Sequence, residues 1–168
     1  MATKIIITEE EYLRTSFDNP DREFRDGELV ERSLPIFKHG TTQGELYVCF
    51  RSLRPKFHVF PCVETRMKIR PGRYLIPDVA VFHEWEPPDV PDRPPLVVVE
   101  ILSPDDRISD VIEKFEEYRA WGVPHVWLVD PETRRIYSYE AGLKPVSSIR
   151  VPELELELAP AEIFPHLN

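Results

Sequence analysis

Cysteine and glycine are scarce in this 168-residue sequence, which has two cysteines and six glycines against eighteen prolines. Cys49 and Cys62 form no C-x-x-C pair, and the five histidines show neither an H-E-x-x-H motif nor the Cys and His spacing of a zinc finger. A structural zinc site is therefore not expected. Both cysteines are predicted to be free, reduced thiols in the core.

Several nucleotide-binding and hydrolase motifs are also missing. The sequence has no Walker A loop, no G-x-G-x-x-G and no G-x-S-x-G, which argues against a P-loop ATPase, a dinucleotide-binding enzyme and a serine hydrolase. Its apolar runs fall far short of the ~20 residues that span a bilayer, and no signal-peptide pattern opens the chain. We therefore expect a cytoplasmic protein with no membrane partner.

Positive charge is in deficit, because 21 Lys and Arg residues stand against 30 Asp and Glu residues, for a net charge of −9. This balance argues against broad attachment to nucleic acid or to an anionic membrane, so a nucleic-acid contact is expected to be weak or transient and to need a local basic cleft. One basic stretch is the candidate lining of such a cleft, with a solvated basic face as the alternative. It comprises Arg51, Arg54, Lys56, Arg66, Lys68, Arg70 and Arg73.

Hydrophobic periodicity and turn residues predict one mixed α/β (α+β) domain over residues 1–168. An N-terminal helix opens at the capping box of Thr8 and Glu11 and ends before Asn19-Pro20, and Asp26-Gly27 forms the turn of a β-hairpin. Two more helices are predicted at 41–53 and 109–121, the second ended by Gly122. Strands are predicted at 58–63, 65–69, 74–82, 96–102, 125–129, 135–139 and 153–158, the last with an acidic outer face.

Two carboxylates interrupt apolar strands, where a charge is expensive to bury. Asp78 lies in the run 75–82 and Glu100 in the run 96–102. If these strands pair antiparallel with Phe82 opposite Leu96, Asp78 faces Glu100 directly, with Cβ atoms roughly 4.5–5.5 Å apart. Like charges so placed need a cation or a shared proton, and an all-oxygen site suits Mg²⁺ or Mn²⁺. The alternative is that each carboxylate sits at a strand end and reaches solvent or a nearby arginine.

The helix predicted at 109–121 offers a cation to these carboxylates. Lys114 falls within the apolar arc of the helix, between Tyr118 and Trp121, and a lysine on that face can point toward the sheet. Arg119 lies in the same arc. The alternative is that Lys114 extends past an aromatic edge to solvent.

An ordered set of short motifs runs through the chain from about residue 9 to residue 139. The motifs are 22–30, Lys38-His39-Gly40, Pro77-Asp78-Val79, 99–104, Asp110 with Lys114 and Tyr118, and 120–131. In this order they resemble the Uma family of restriction-endonuclease-like proteins, long catalogued as a domain of unknown function. The resemblance implies a PD-(D/E)XK nuclease-like core, in which a central mixed sheet flanked by helices carries the site on an antiparallel strand pair.

The resemblance also implies roles for individual residues. Asp78 and Glu100 match the motif carboxylates that hold one or two Mg²⁺ or Mn²⁺ ions, and the main-chain carbonyl of Ile101 is a further ligand. Leu102 stands where the motif usually has its lysine, and Lys114 on the following helix takes that role.

Two more residues match recurring family positions. Glu23 is expected to line the cleft as a carboxylate that supports the metal ligands, and His39 as a proton-transfer or phosphate contact. The alternatives are that Glu23 is a surface charge of the hairpin and that His39 merely begins a helix.

These observations make a metal-dependent endonuclease acting on nucleic acid, with DNA as substrate, the leading hypothesis. Because fold does not establish function, a catalytically silent nuclease-fold module for binding or assembly is the alternative. A phosphodiester hydrolase of small nucleotides is a third possibility. A homodimer or higher homo-oligomer is plausible, since cleavage of both strands needs two sites.

Overall fold

The computed structural model describes residues 6–18 and 21–166 and has two principal sheets. The helices are α1 (Glu9–Arg14), α2 (Phe37–Arg51), α3 (Ile108–Trp121) and α4 (Pro160–Ile163), with a 3₁₀ helix at Pro152–Leu154. The strands are β1 (Arg22–Arg25), β2 (Glu28–Glu31), β3 (Val59–Val63), β4 (Met67–Arg70), β5 (Arg73–Leu75), β6 (Val79–His83), β7 (Val97–Ile101), β8 (His125–Asp130), β9 (Arg135–Tyr139), β10 (Leu143–Val146), β11 (Ile149–Val151) and β12 (Leu156–Leu158).

The strands form a mixed six-stranded sheet, an antiparallel four-stranded sheet and a small pair. The six-stranded sheet has the order β10-β9-β8-β7-β6-β3, in which only β7 and β8 are parallel. The four-stranded sheet has the order β2-β1-β5-β4, and β11 pairs with β12. The predicted mixed α/β class, with a central mixed sheet, is therefore confirmed.

The N-terminal prediction agrees with the structure. Thr8 and Glu11 form the capping box of α1, although the helix ends at Arg14; Asn19 and Pro20, predicted to stop it, lie outside the described residues. β1 and β2 form the predicted hairpin. Asp26 and Gly27 both have positive φ, 52° and 93°, as a two-residue turn between twisted strands requires.

The six-stranded sheet is covered on both faces. Leu46 and Phe50 of α2 pack on the odd-numbered side chains of β6 and β7, and Phe115 and Tyr118 of α3 pack on the even-numbered ones. α2 begins four residues before the predicted start and ends two residues before the predicted end. Its first turn has an exposed Phe37 and therefore no amphipathic pattern. α3 ends as predicted at Gly122, whose φ of 110° is left-handed.

The prediction of one strand at 74–82 is wrong, because this segment forms two strands in different sheets. β5 belongs to the four-stranded sheet and β6 to the six-stranded sheet, and the break lies at residues 76–78. Pro77 has no N–H to donate to a ladder, which explains the break. Asp78 consequently stands immediately before β6 rather than within a strand.

The predicted register of the central antiparallel pair is confirmed. Val79 faces Val99, Ala80 faces Val98 and Val81 faces Val97, which is the alignment that brings Asp78 and Glu100 to the same end of the pair. The hairpin predicted at 125–129 and 135–139 is likewise present as β8 and β9.

The acidic tail was predicted as a continuous strand at 153–158, and that prediction is wrong. Pro152–Leu154 is a 3₁₀ helix, and Glu155 turns the chain with a left-handed φ of 50° before β12. The predicted alternation of burial nevertheless holds, since Leu154 and Leu158 are buried and Glu157 is exposed. Short strands β10 and β11 and helix α4 were not predicted, because they lack a strong periodic pattern.

Two other expectations concern thiols and membranes. Cys49 and Cys62 are free, as predicted, but they are half-buried and pack against the core rather than lying within it. Across the described residues, each helix is too short or too polar to cross a bilayer.

Candidate active site

A cavity of about 510 Å³ lies where the two sheets meet the first turns of α2 and α3. Its walls include all five residues predicted as catalytic, together with Ile101. These are Glu23, His39, Asp78, Glu100 and Lys114. The fold thus brings together side chains from β1, α2, β7, α3 and the segment before β6.

Glu23 is buried on β1, with 3% of its surface exposed, so the alternative of a hairpin surface charge is wrong. Its Oε1 lies 2.9 Å from Lys114 Nζ and accepts the Ile76 N–H at 3.1 Å, and its Oε2 lies 3.0 Å from Arg25 Nη2. Burial raises the pKa of Glu23, but the charges of Lys114 and Arg25 lower it below the ordinary value. Glu23 is therefore an ionised carboxylate that holds Lys114 in place.

Asp78 uses both of its carboxylate oxygens. Oδ1 lies 2.7 Å from Arg32 Nη2, and Oδ2 accepts the Ile101 N–H at 2.7 Å. Burial raises the pKa of Asp78, but the hydrogen bond with His39, the charge of Arg32 and the Ile101 N–H lower it below its usual range. Asp78 and Glu100 line the same cavity, as predicted. Asp78 also stands at a strand end and meets an arginine, which was the alternative.

Glu100 shares Lys114 with Glu23. Its Oε1 lies 2.8 Å from Lys114 Nζ and accepts the Tyr118 O–H at 2.8 Å. Burial raises the pKa of Glu100 to about 7; Lys114 opposes the rise, and the charges of Asp78 and Glu23 reinforce it. Burial is the largest cause of the raised pKa, and Lys114 does not offset burial together with the charges of Asp78 and Glu23.

Lys114 points into the protein, as its place on the helix predicted. Its side chain is 14% exposed and bridges Glu23 of the four-stranded sheet and Glu100 of the six-stranded sheet. Burial lowers the pKa of Lys114, but the two carboxylates outweigh burial and raise it, so the amine stays charged. Arg119, the other cation in the arc, instead donates to the Val123 carbonyl at 2.9 Å.

His39 lies in the first turn of α2 and faces the cavity. Its Nε2 is 3.3 Å from Asp78 Oδ2, and the charge and hydrogen bond of Asp78 raise its pKa although burial lowers it. Within the described residues, its buried Nδ1 has no hydrogen-bond partner.

Three residues that contact the carboxylates were not predicted from the sequence, and the predicted basic lining of the cleft is largely wrong. Arg25, Arg32 and Tyr118 contact the three carboxylates, but none was predicted to do so. Of the seven residues in the basic stretch, only Arg66 lines the cavity in the described part of the chain. Lys68, Arg70 and Arg73 instead pair with Glu9, Asp26 and Glu117.

The donor set is compatible with a hard divalent cation. Carboxylate oxygens of Asp78 and Glu100 and the Ile101 carbonyl are the ligand type that Mg²⁺ and Mn²⁺ prefer. Among the described residues, however, no group of three or more His, Cys, Asp or Glu side chains is arranged to hold an ion alone. Mg²⁺ commonly binds through one or two carboxylates with water and substrate phosphate as its other ligands, so the residues fit this mode.

Comparisons with known proteins agree with this architecture. The family model Uma2, described as "Putative restriction endonuclease", matches residues 9–168. The fold is similar to the crystal structure of "a putative nuclease belonging to DUF820" from Anabaena variabilis, with a TM-score of 0.83 and 23% identity over 96% of this chain and 99% of that one. None of the curated proteins compared with the chain matches it.

Proposed function

Because the chain belongs to the Uma2 family, we propose that it is a metal-dependent endonuclease that hydrolyses phosphodiester bonds of nucleic acid, with DNA as its substrate. One observation carries the proposal. Lys114 Nζ lies 2.8 Å from Glu100 and 2.9 Å from Glu23 in a cavity that Asp78 also lines, so three carboxylates and a buried amine converge from separate elements.

The metal would be Mg²⁺ or Mn²⁺, held by Asp78, Glu100 and the main-chain carbonyl of Ile101. Bound there, such an ion polarises a phosphodiester and lowers the pKa of a water ligand. The raised pKa of Glu100, whose largest cause is burial, supports this assignment, because a divalent cation beside the carboxylate would favour the charged form that burial disfavours.

Lys114 would act beside the reacting phosphate. A buried ammonium whose charge is maintained by two carboxylates can orient the attacking water or stabilise charge on the phosphate oxygens. Glu23 positions Lys114 through its 2.9 Å contact. His39, which lines the cavity beside Asp78, would contact a phosphate or transfer a proton.

The partner and setting follow from the same hypothesis. With a net charge of −9, we expect DNA contact to be weak or transient. A homodimer or higher homo-oligomer would supply the two sites that double-strand cleavage needs. We propose that the protein acts in the cytoplasm.

A second candidate function is supported by charge balance. Glu23, Asp78 and Glu100 are paired with Arg25, Arg32 and Lys114, so three carboxylates face three cations. Such a network satisfies itself without a metal. It is what a catalytically silent module for binding or assembly would keep as part of its core.

The two candidates differ in their response to divalent cations. We would titrate the protein, Asp78→Asn and Asp130→Asn with Mn²⁺ by calorimetry, and assay each for cleavage of plasmid and single-stranded DNA with Mg²⁺, Mn²⁺ or EDTA. Asp130→Asn is the matched control, because Asp130 ends a neighbouring strand and only caps its own turn.

For an endonuclease we expect saturable Mn²⁺ binding and metal-dependent cleavage, both lost in Asp78→Asn and kept in Asp130→Asn. DNA capture that EDTA does not change, without cleavage, would establish the binding module instead. Hydrolysis of small phosphodiesters without oligonucleotide affinity would point to a small-nucleotide hydrolase.

A further inference from the structure

The chain passes between the two principal sheets at three crossings within the described residues, and a charged cavity residue stands at each. Arg32 follows β2, Glu64 follows β3, and Asp78 precedes β6. Arg32 Nη2 lies 2.7 Å from Asp78 Oδ1, and its Nη1 lies 3.9 Å from Glu64 Oε2. One guanidinium therefore contacts both carboxylates that stand at the other crossings.

Arg32 occupies the oxygen of Asp78 that a metal ion would take. Oδ2 is held by the main-chain N–H of Ile101, which belongs to a central strand and cannot move aside. Oδ1 is held only by the Arg32 side chain in the described contacts. A divalent cation on Oδ1 would lie within a few ångströms of the guanidinium, and like charges at that distance repel strongly where water is excluded.

Two other cations of the cavity are anchored differently. Lys114 is fixed between Glu23 and Glu100, and Arg66 is fixed by the Tyr12 and Thr15 carbonyls and by Asp21. Among the described residues, the Arg32 guanidinium has, apart from its bond to Asp78, only the long contact to Glu64, whose side chain is 45% exposed. Arg32 is thus held chiefly by the group that a metal would claim.

We propose that Arg32 is a displaceable counter-ion, which holds Asp78 when no divalent cation is bound and transfers to a phosphate group of the nucleic-acid substrate when one binds. This inference rests on the endonuclease function proposed above. The planar guanidinium matches a phosphate as well as it matches a carboxylate, because both accept its paired N–H donors. The long side chain stays inside the cavity when released, so the same charge serves both states.

The test compares two variants that remove one positive charge from the same cavity. Arg32→Gln removes the contact with Asp78, whereas Arg66→Gln removes a cavity charge that does not touch it. Mn²⁺ affinity is measured by calorimetry. We expect Arg32→Gln to bind Mn²⁺ about tenfold more tightly than the parent, and Arg66→Gln to differ from the parent by less than about threefold.

A second measurement tests whether Arg32 contacts a phosphate group of DNA. The anisotropy of a fluorescein-labelled DNA oligonucleotide with uncleavable phosphorothioate linkages reports affinity with EDTA and with Mn²⁺. We expect Mn²⁺ to increase the affinity of the parent, and to increase that of Arg32→Gln by a smaller factor although this variant binds the metal more tightly. A purely structural role for Arg32 would not raise the Mn²⁺ affinity of the variant and at the same time reduce the gain in DNA affinity that Mn²⁺ produces.

The outcomes separate this proposal from the one on which it rests. If the parent binds Mn²⁺ and Arg32→Gln binds it equally or more weakly, the counter-ion role is wrong and the metal site stands. If neither binds Mn²⁺, both proposals fail. If Arg32→Gln does not fold, Arg32→Lys replaces it; an Mn²⁺ affinity a few-fold above that of the parent supports the proposal, and an unchanged affinity overturns it.

Discussion

The two principal sheets are stabilised by different kinds of contact. The six-stranded sheet is sandwiched between α2 and α3, and its inner strands are apolar on both faces. The four-stranded sheet contributes Met67 and Leu75 to the core beneath α3 and has a smaller aromatic cluster of Tyr12, Phe24 and Tyr74, but it is also tied to its surroundings by many ion pairs. These pairs include Lys68 with Glu9, Arg70 with Asp26, Arg66 with Asp21 and Arg73 with Glu117.

This difference separates two tasks. The six-stranded sheet fixes Asp78 and Glu100 on rigid backbone. The four-stranded sheet contributes Glu23 and Arg25 from β1, and Arg32 from its edge, to the cavity. Lys114 of α3 joins the two regions, because its amine contacts one carboxylate from each sheet. The site is therefore assembled where a hydrophobic scaffold meets an electrostatic one.

Replacement of Lys114 is expected to have the largest effect on the free energy of unfolding. Lys114→Met leaves Glu23 and Glu100 buried beside each other without their shared cation, and loss of one partner of a buried ion pair destabilises a protein by about 3–5 kcal/mol. The loss should be greater at about pH 8 than at about pH 4, because acid neutralises the stranded carboxylates. Urea unfolding at both pH values measures it.

The control for this variant is Lys144→Met, which removes an amine that is 66% exposed and pairs with Glu140. Its effect should lie within about 1 kcal/mol and be insensitive to pH. A similarly small loss for Lys114→Met would show that the sheets are not joined through this amine.

Truncation of a core side chain beside the six-stranded sheet is expected to have the next largest effect on the free energy of unfolding. Leu46 is fully buried between α2 and the six-stranded sheet, and Leu46→Ala is expected to lower the free energy of unfolding by about 2–5 kcal/mol. Val48→Ala on the same helix, where the side chain is 60% exposed, should change it by less than about 0.5 kcal/mol. Equal effects of the two variants in denaturant melts would contradict the assignment of this sheet as the hydrophobic scaffold.

The smallest effect is expected for a surface contact of the four-stranded sheet. The Lys68 ammonium and then the Tyr74 hydroxyl lower the pKa of Glu9 from 4.5 to about 2 by hydrogen bonding. Because this folded-state pKa lies below the unfolded one, the stabilisation is complete above about pH 4.5 and is lost as the pH falls toward 2. Glu9→Gln should cost about 1 kcal/mol or less at neutral pH, since the pair is partly exposed.

Thermal melts across this pH range check the last prediction. The difference between the parent and Glu9→Gln should shrink as the pH is lowered. Glu10→Gln is the control, because Glu10 makes only an exposed pair with Arg14 one helical turn away. A difference between the parent and Glu9→Gln that is constant with pH would mean that the Glu9 charge contributes nothing.

The apolar region was the more predictable from sequence. A charge inside an apolar run is visible locally, so Asp78 and Glu100 could be identified, and alignment of their two strands predicted the register that the structure has. Lys114 could be identified for the same reason, since it lies within the apolar arc of α3. The strand break before Asp78 was not predicted because 74–82 is apolar throughout apart from Asp78 itself, and Pro77 is its one local sign.

The electrostatic region was the less predictable. Arg32 lies between Glu31 and Ser33, a polar setting that carries no local signal, and its partner Asp78 is 46 residues away. The density of the basic stretch suggested a cleft lining, but acidic residues distant in sequence pair with five of its seven residues. Such pairings depend on the tertiary fold, which periodicity does not encode.

The three crossings between the sheets also limit where related chains can differ in length. Only residues 76–78 separate β5 from β6, so an insertion there would carry the Asp78 carboxylate away from the Ile101 N–H. The turn at 140–142 joins two strands at the margin of the six-stranded sheet and contributes nothing to the cavity. Insertions and deletions among relatives should accumulate at such marginal turns, while the two short crossings, at 64–66 and 76–78, keep a constant number of residues.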